Sequence, residues 1–444
     1  MKKRMLSMLA VLTAASVGLA ACGGSKETAG QDSKPQEQKQ DVKPATYTGG
    51  PAELLVLNVN AGVYQEQFQK WFVEPLQKKY PQIKLTLASE SLDKLLAAGT
   101  PPDLLLVSNA GLVNILEKDI PEDLTQMVKQ FGIDLNAMEA AVVQQTQKLG
   151  DNKAFYGVPF AMNYGAMVYN QDIFDKFGVP YPKEPMTYEQ TLELGKKLTR
   201  SDGGVNYIGV MPPDLRQLYW QYGVPVFDQA TQRAKLTTDQ HAKVFNLLKE
   251  FYAIPGYIQN GKHTHSTDVF FKEQRMAMYP NWVAAISSFF TNAGTKDAFK
   301  WDLTAHPGFS DRKGLGKEVD YHMIVVNKSS KNLEAAHYVV KEMVTKEVQT
   351  ILSRAGRISV LKDESIRSQY GADSDVYKGK DLQSIFKVTP SPLPPASKFD
   401  AKINSILINE AAKAVAIDGV DVNTALRNAE EKANKEVIIP ELGK

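Results

Sequence analysis

The sequence predicts an α/β protein of two lobes, each a helix-covered sheet, with a cleft between them. Three observations lead there. At 444 residues the chain exceeds one ordinary domain and suggests two or three. Between residues 54 and 107, strand-like apolar runs alternate with helical periodicity, the pattern of a parallel sheet covered by helices. Residues 155–175, FYGVPFAMNYGAMVYNQDIFD, then leave one packed body and enter another. Gly157 and Pro159 keep the backbone extended, residues 166–169 have the content of a buried strand, and Met162, Asn163 and Tyr164 lie between.

The N-terminus is read first so that it can be set aside. A basic start (Lys2, Lys3, Arg4), an apolar run over residues 5–19 and small residues up to Ala21 make an export signal over residues 1–21, outside fold reasoning. The run of 15 residues is short of the roughly 20 that span a bilayer. Removing those three charges from the formal +2 leaves 2 − 3 = −1, so nothing argues for nucleic acid. Cys22 is the only cysteine and no internal disulfide can form. Residues 23–50 hold almost nothing apolar and cannot bury enough surface to fold. They read as a tether reaching roughly 30 Å.

In the body, residues 54–60 (LLVLNVN) read as a buried strand. Phe68, Phe72 and Leu76 follow at every fourth position, a helix that Pro75 kinks. Residues 83–87 are a second strand, 91–98 a short helix stopped by Gly99, and 104–107 a third strand. Ligands on such sheets bind beyond the carboxyl ends of the strands, which places Asn60, Tyr64, Ser108 and Asn109 at a rim. Asn170 is set to cap a helix that Gly178 and Pro180 stop. Thr187 with Gln190 forms a capping box, Tyr219, Trp220 and Tyr222 cluster on a helical stretch, and residues 239–252 make another amphipathic helix. Residues 270–281, FFKEQRMAMYPN, are a helix end and a strand that delivers Trp282. Asn332 caps a helix through Met343, and Thr345 opens another that Gly356 closes. Residues 389–396, TPSPLPPA, are too proline-rich for regular structure, and from Lys398 the chain is helical with a break at Asp418-Gly419.

Several of these stretches carry a resemblance. Leu19-Ala20-Ala21-Cys22 resembles the bacterial lipobox, which implies lipidation of Cys22 by two or three acyl chains, palmitate among them, and stable anchoring. The YGVPF…YN run from Tyr156 to Asn170 resembles the first inter-lobe crossover of the extracellular solute-binding proteins of ABC importers, the group that includes maltose- and oligosaccharide-binding proteins. Ala277, Met278 and Trp282 are similar to an element whose tryptophan lies over the sugar, with Gln274 where glycine is usual. DYHMIVVN, residues 320–327, resembles the second crossover, and residues 331–356, KNLEAAHYVVKEMVTKEVQTILSRAG, resemble a family helix pair. After it, Arg357-Ile358-Ser359-Val360 stands where many relatives have proline.

The resemblance covers nearly the whole exported body. It implies a lipidated cysteine and tether over 22–50, an N-terminal lobe over 51–160, a C-terminal lobe over 161–325, a return to the first lobe over 326–370 and C-terminal-lobe helices over 371–444. It further implies a monomeric receptor at the outer face of a cell membrane that hands its solute to ABC permease subunits, without covalent chemistry or cofactor. The solute it implies is a carbohydrate or oligosaccharide.

Sugar recognition needs flat aromatic faces and planar polar groups. A pyranose face burying roughly 100 Å² against an indole contributes about 2 to 3 kcal/mol. Trp282 answers to that chemistry and to the family position, with a core tryptophan as the alternative. Asn163 and Tyr164 have the crossover in their favour; Trp220 and Tyr222 have only clustering, which core packing would also produce. Trp71, between Phe68 and Phe72, reads as core. Tyr321 and His322 lie at the second crossover, though His322 equally fits a satisfied buried histidine. Asp400 falls near a position that carries an aromatic in maltose-type relatives, which would favour hydroxyl bonding or an amino or cationic ligand.

Other chemistries find little support. His263-Thr264-His265 lacks a third metal ligand in register. Residues 308–317 match neither phosphate-binding fingerprint, and HExxH, GxSxG and a cysteine nucleophile are missing. A carbohydrate-active enzyme, whose carboxylate pair needs no local motif, and a receptor for a polyamine, metal or anion remain as alternatives, as does a receptor that signals to a sensor kinase.

Overall fold

The computed structural model describes residues 46–182, 185–258, 261 and 265–443. Its strands in chain order are β1 (Ala52–Asn58), β2 (Ile83–Leu87), β3 (Leu104–Ser108), β4 (Val158–Asn163), β5 (Gly165–Asn170), β6 (Arg200–Asp202), β7 (Val205–Val210), β8 (Phe227–Asp228), β9 (Arg233–Ala234), β10 (Met276–Trp282), β11 (Trp301–Ala305), β12 (Leu315–Glu318), β13 (Asp320–Val326) and β14 (Thr389–Ser391). Two five-stranded sheets organise them, in the orders β2-β1-β3-β13-β4 and β11-β5-β10-β7-β6. β3 and β5 are buried along their whole length, as apolar runs between helical layers must be.

The three apolar runs between residues 54 and 107 form β1, β2 and β3, all parallel. β13 enters that sheet antiparallel to both β3 and β4, so the sheet is mixed where the alternation of strands and helices predicts a parallel one. The chain passes from the first sheet to the second between β4 and β5, over Tyr164 alone. It comes back from β12, paired with β14 beside the second sheet, into β13, over Val319 alone. Such short crossovers hold the two sheets close together. Gly165 makes the first one possible: a Cβ there would stand 2.5 Å from Cβ of Lys317 and 2.8 Å from Cγ of His306.

Local signals behave as their chemistry requires. Asn170 accepts from the Ile173 amide, and Gly178 ends that helix in the left-handed region. Both bonds of the Thr187–Gln190 capping box are present. The helical run from Gln65 to Lys79 widens into a π turn at Gln69–Val73, just where Pro75 lacks the N–H that would continue the ladder. TPSPLPPA departs from expectation. Its first three residues form β14, parallel to β12, because an edge strand tolerates Pro390 where a central strand would lose a ladder bond. Trp71 is buried as the helical phase predicts. Cys22, residues 23–45 of the tether and the His263-Thr264 pair lie outside the described residues. Residues 46–50, read with the tether, are described, and Tyr47 among them is buried, its ring 5.2 Å from that of Tyr338 and its carbonyl accepting from Gln82 Nε2 over 3.0 Å, because an aromatic side chain there finds an apolar partner on the body. Within the described residues no helix is long and apolar enough to cross a membrane.

Two glutamines, Gln232 and Gln274, are held in the left-handed region. Gln274, before β10, has φ +55°, a left-handed conformation that side chains beyond glycine adopt at a cost of roughly 1 to 2 kcal/mol. Gln274→Gly relieves that cost, offset in part by glycine's greater entropy in the unfolded chain. We expect unfolding in urea to show a gain of about 0.5 to 1 kcal/mol; a loss would mean that the Gln274 side chain makes a compensating contact.

Candidate functional site

Between the two sheets lies a cavity of about 270 Å³, close to the lower bound of roughly 300 to 1,000 Å³ for small-molecule sites. From the first sheet's side it is lined by Asn109 after β3, by Gln145 on the helix Ala140–Leu149 and by Asp320 at the start of β13. The second sheet's side supplies Trp282 at the end of β10, Arg216, Gln217 and Trp220 on the helix Leu215–Tyr222, and Glu318 from β12. The proline-rich segment and the following helix close it with Leu393, Pro394, Ala396 and Asp400. Four sequence-predicted residues, Asn109, Trp220, Trp282 and Asp400, thus share one cavity.

The structure places the remaining eight elsewhere. Asn60 and Ser108 pair with each other at the rim, where Asn60 Nδ2 donates to Ser108 Oγ over 2.9 Å and Ser108 N donates back to Asn60 Oδ1 over 2.7 Å. Tyr64 stands 69% exposed at the start of a helix. Asn163 Nδ2 donates to Asp320 Oδ2 over 3.4 Å, directly behind the cavity. Tyr164 is buried with its ring edge-on to Phe386, 5.4 Å between centroids. Tyr222 is buried and donates to Asp311 Oδ2 over 2.7 Å. The helix explains its separation from Trp220: two positions along is roughly 200° around, so one faces the cleft and the other the core. Tyr321 is fully buried, its hydroxyl bonded to Thr146 Oγ1 over 2.9 Å. His322 lies against Arg357, whose Nη1 is 3.4 Å from His322 Nδ1.

Among the lining residues that the sequence reading missed, the polar ones are Gln145, Arg216, Gln217, Glu318 and Asp320. Two had a usable signal. Arg216 is four residues before Trp220 on one helix and sits over its ring at 5.1 Å. Asp320 alternates with Tyr321 along a strand, so if one is core the other faces out.

Behind the lining residues is a buried ammonium. Lys317 is 3% exposed; its Nζ donates to Gln217 Oε1 over 2.5 Å, stands 3.4 Å from Glu318 Oε2 and lies 4.6 Å from the centre of the Trp282 ring. Burial lowers its pKa, and the Glu318 carboxylate opposes that shift. Burial likewise raises the carboxyls of Glu318, Asp320 and Asp400, opposed by Lys317, Asn163 and Ser397 respectively. Arg357 donates from Nη2 to the carbonyls of Ala61 and Gly62 and lies over the Trp71 ring at 5.3 Å. It ties the rim loop to the helix behind it. Among the described residues no group of three or more His, Cys, Asp or Glu is placed to hold a metal ion.

Residues 61–350 match the model of the bacterial extracellular solute-binding proteins, well over half of the chain. The chain belongs to that family. A Brucella abortus (strain 2308) protein named as a binding protein is 24% identical to this solute-binding protein over 352 residues, covering 74% of this chain and 80% of its own. Among solved structures, the ABC substrate-binding protein Lmo0181 of Listeria monocytogenes in complex with cycloalternan superposes with a TM-score of 0.66 at 20% identity, over 87% of this chain and 98% of the other. The sugar-binding protein MalE of Xanthomonas citri gives 0.66 at 16% identity, over 88% and 98%. At such identities the likeness establishes the two-lobed α/β fold of these binding proteins.

Acid should weaken this solute-binding protein in a way that His322 reports. Burial, reinforced by Arg357, pushes its pKa from 6.5 down to about 3. The unfolded chain therefore takes up a proton near pH 6.5 that the native state refuses until about pH 3, and stability falls as pH drops through that window. At pH 5 the unfolded state gains roughly 2 kcal/mol from this group, at 1.36 kcal/mol per pH unit. Urea unfolding of wild type and His322→Gln at pH 7 and pH 5 should show the variant losing less stability by about that amount. Equal losses would mean that His322 is protonated in the native state.

Proposed function

We propose that this protein captures a carbohydrate and delivers it to the permease of an ABC importer. The observation that carries the reading is the pairing, in one inter-sheet cavity, of two tryptophans, Trp282 and Trp220, with the amides of Asn109, Gln145 and Gln217 and the carboxylates of Glu318, Asp320 and Asp400. Indole faces cover the CH faces of a pyranose, while amides accept from and donate to its hydroxyls and carboxylates accept from them by charge-assisted bonds. Two such faces with these bonds can reach the roughly −8 kcal/mol of micromolar binding after ordering costs. Solved structures of the same fold support the class, since three of those proteins are seen with cycloalternan, alpha-D-tagatose and mannobiose bound.

The one-residue crossovers at Tyr164 and Val319 serve as hinges, and closure over the solute presents the receptor to the permease. Asn60, Tyr64, Ser108 and Asn163, at the rim or behind the cavity, join the site on closure in this reading. Lipid on Cys22 and the tether keep the receptor at the extracellular face of the membrane. A second reading, a cationic solute such as a polyamine, draws on one observation: three carboxylates line the cavity together with Arg216.

A thermal-shift screen of the full chain against mono- and oligosaccharides, polyamines, ferric iron and oxyanions separates the two. A ligand at a hundred times its Kd stabilises by about 2.7 kcal/mol, a shift of several degrees. We expect a saccharide to give it; silence from every sugar with a shift from spermidine would overturn the carbohydrate reading. Trp282→Ala should weaken saccharide binding at least tenfold, about 1.4 kcal/mol, in a variant that remains folded. If the variant unfolds, or binds normally, Trp282 is packing and not a sugar platform.

A further inference from the structure

The cavity beside Trp282 holds more negative charge than the protein around it balances. Glu318, Asp320 and Asp400 line it, and Arg216 is the one cationic side chain among the described lining residues. Glu318 has the Lys317 ammonium 3.4 Å from its Oε2, yet that oxygen accepts no hydrogen bond although the residue is only 3% exposed. The other two carboxylates meet neutral donors. Asp320 Oδ2 accepts from the Asn163 amide over 3.4 Å, and Asp400 accepts from the Ser397 hydroxyl over 2.6 Å and from its backbone N–H over 3.0 Å. Neither makes an ion pair with a described residue, and Arg216 does not make up the difference: it is exposed and stands over the Trp220 ring at 5.1 Å.

With Lys317 behind the wall counted beside Arg216, two cations stand against three carboxylates, 2 − 3 = −1. Burial raises the pKa of all three carboxyls, and the partners that oppose it do not cancel it. A site in that condition takes up a proton or binds a cation. The indoles show where such a cation would not lie. Each already has a protein cation beside its ring, Arg216 at Trp220 and, at 4.6 Å, Lys317 at Trp282. A second cation laid on either ring would be repelled by the first, which leaves the rings to apolar CH groups. Carboxylates and indoles therefore call for two different parts of one solute. A polyamine supplies only the positive part, and a plain hexose only the flat apolar one.

We propose that the solute is an aminated sugar, a pyranose whose CH face lies on an indole and whose primary ammonium is held by Asp320 and Asp400. This rests on the carbohydrate reading and names the chemical class of the sugar. An ammonium brings three N–H donors and a full charge where a hydroxyl brings one donor, so it satisfies the two carboxylates that the wall leaves with neutral partners. Glu318 stays with Lys317.

The test is calorimetric titration of the full chain at pH 6, where a sugar amine is protonated, with glucose, galactose and mannose, with the 2-amino and 6-amino derivatives of each, and with the N-acetyl forms of those amines. At least one amine should bind at least tenfold more tightly than its parent hexose, and acetylation, which removes the charge, should abolish that gain. Asp320→Asn and Asp400→Asn should each lower the ratio of amine to parent affinity at least threefold, and either one serves if the other does not fold. Equal affinity for amine and parent, an N-acetyl form that binds as tightly as its amine, or an unchanged ratio in a folded variant would overturn the aminated-sugar proposal while the carbohydrate reading stands. Spermidine binding as tightly as the best amine also overturns it, since the pyranose would then contribute nothing. Silence from the amines overturns this proposal, and silence from every sugar in the thermal-shift screen removes the carbohydrate reading as well.

Discussion

The cleft depends on how one buried ammonium is satisfied. Lys317 is withdrawn from water between the two sheets, and isolated charges in such surroundings cost several kcal/mol. The structure offsets that cost with Gln217, Glu318 and the face of Trp282. Those three side chains come from different elements, a helix and two strands, so satisfying one charge fixes the mutual positions of three parts of the wall. Loss of the ammonium would leave Glu318 as an unpaired buried carboxylate, which is why the group behaves as a unit. The same pairing holds Trp282 with one face occupied from behind and leaves its other side to the cavity.

Around that point the architecture is one of short passages. Tyr164 and Val319 are each the only residue between a strand associated with one sheet and a strand of the other. Neither contributes its side chain as a polar group of the cavity; both are buried, so the passages are anchored by packing. Arg357 performs a related task at the rim. By bonding the carbonyls of Ala61 and Gly62 it gives a loop beyond the end of β1 a defined position. In the closure proposed above, such a fixed rim would meet the solute as one piece.

Much of this was legible in the chain. The apolar runs of β1, β2 and β3, the cap at Asn170, the capping box at Thr187 and Gln190, and the strand that ends in Trp282 all follow from local chemistry, because propensity, capping and periodicity act over a few residues. The site was read less well, for an equally physical reason. Aromatic and amide residues near crossovers are good candidates by type, yet Tyr164, Tyr222 and Tyr321 turn into the core while their neighbours Asn163, Trp220 and Asp320 face or back the cavity. The difference between each pair is the phase of a strand or helix, and only packing sets which side is inward. Proline-rich residues 389–391 became a strand because β12 happened to offer an edge.

By itself the sequence determined the class of fold, the order and type of most elements, the export and tether segments as expectations, and Trp282 as the residue to watch, since each rests on neighbours in the chain. Tertiary structure alone decided that Gln145, Gln217, Glu318, Asp320 and Asp400 meet around one cavity and that Lys317 is buried behind them. These residues come from segments as far apart as 145 and 400 along the chain. No local propensity registers such a meeting, because it is created by the burial of two apolar sheets against their helices, with the polar residues left to find partners where the sheets adjoin.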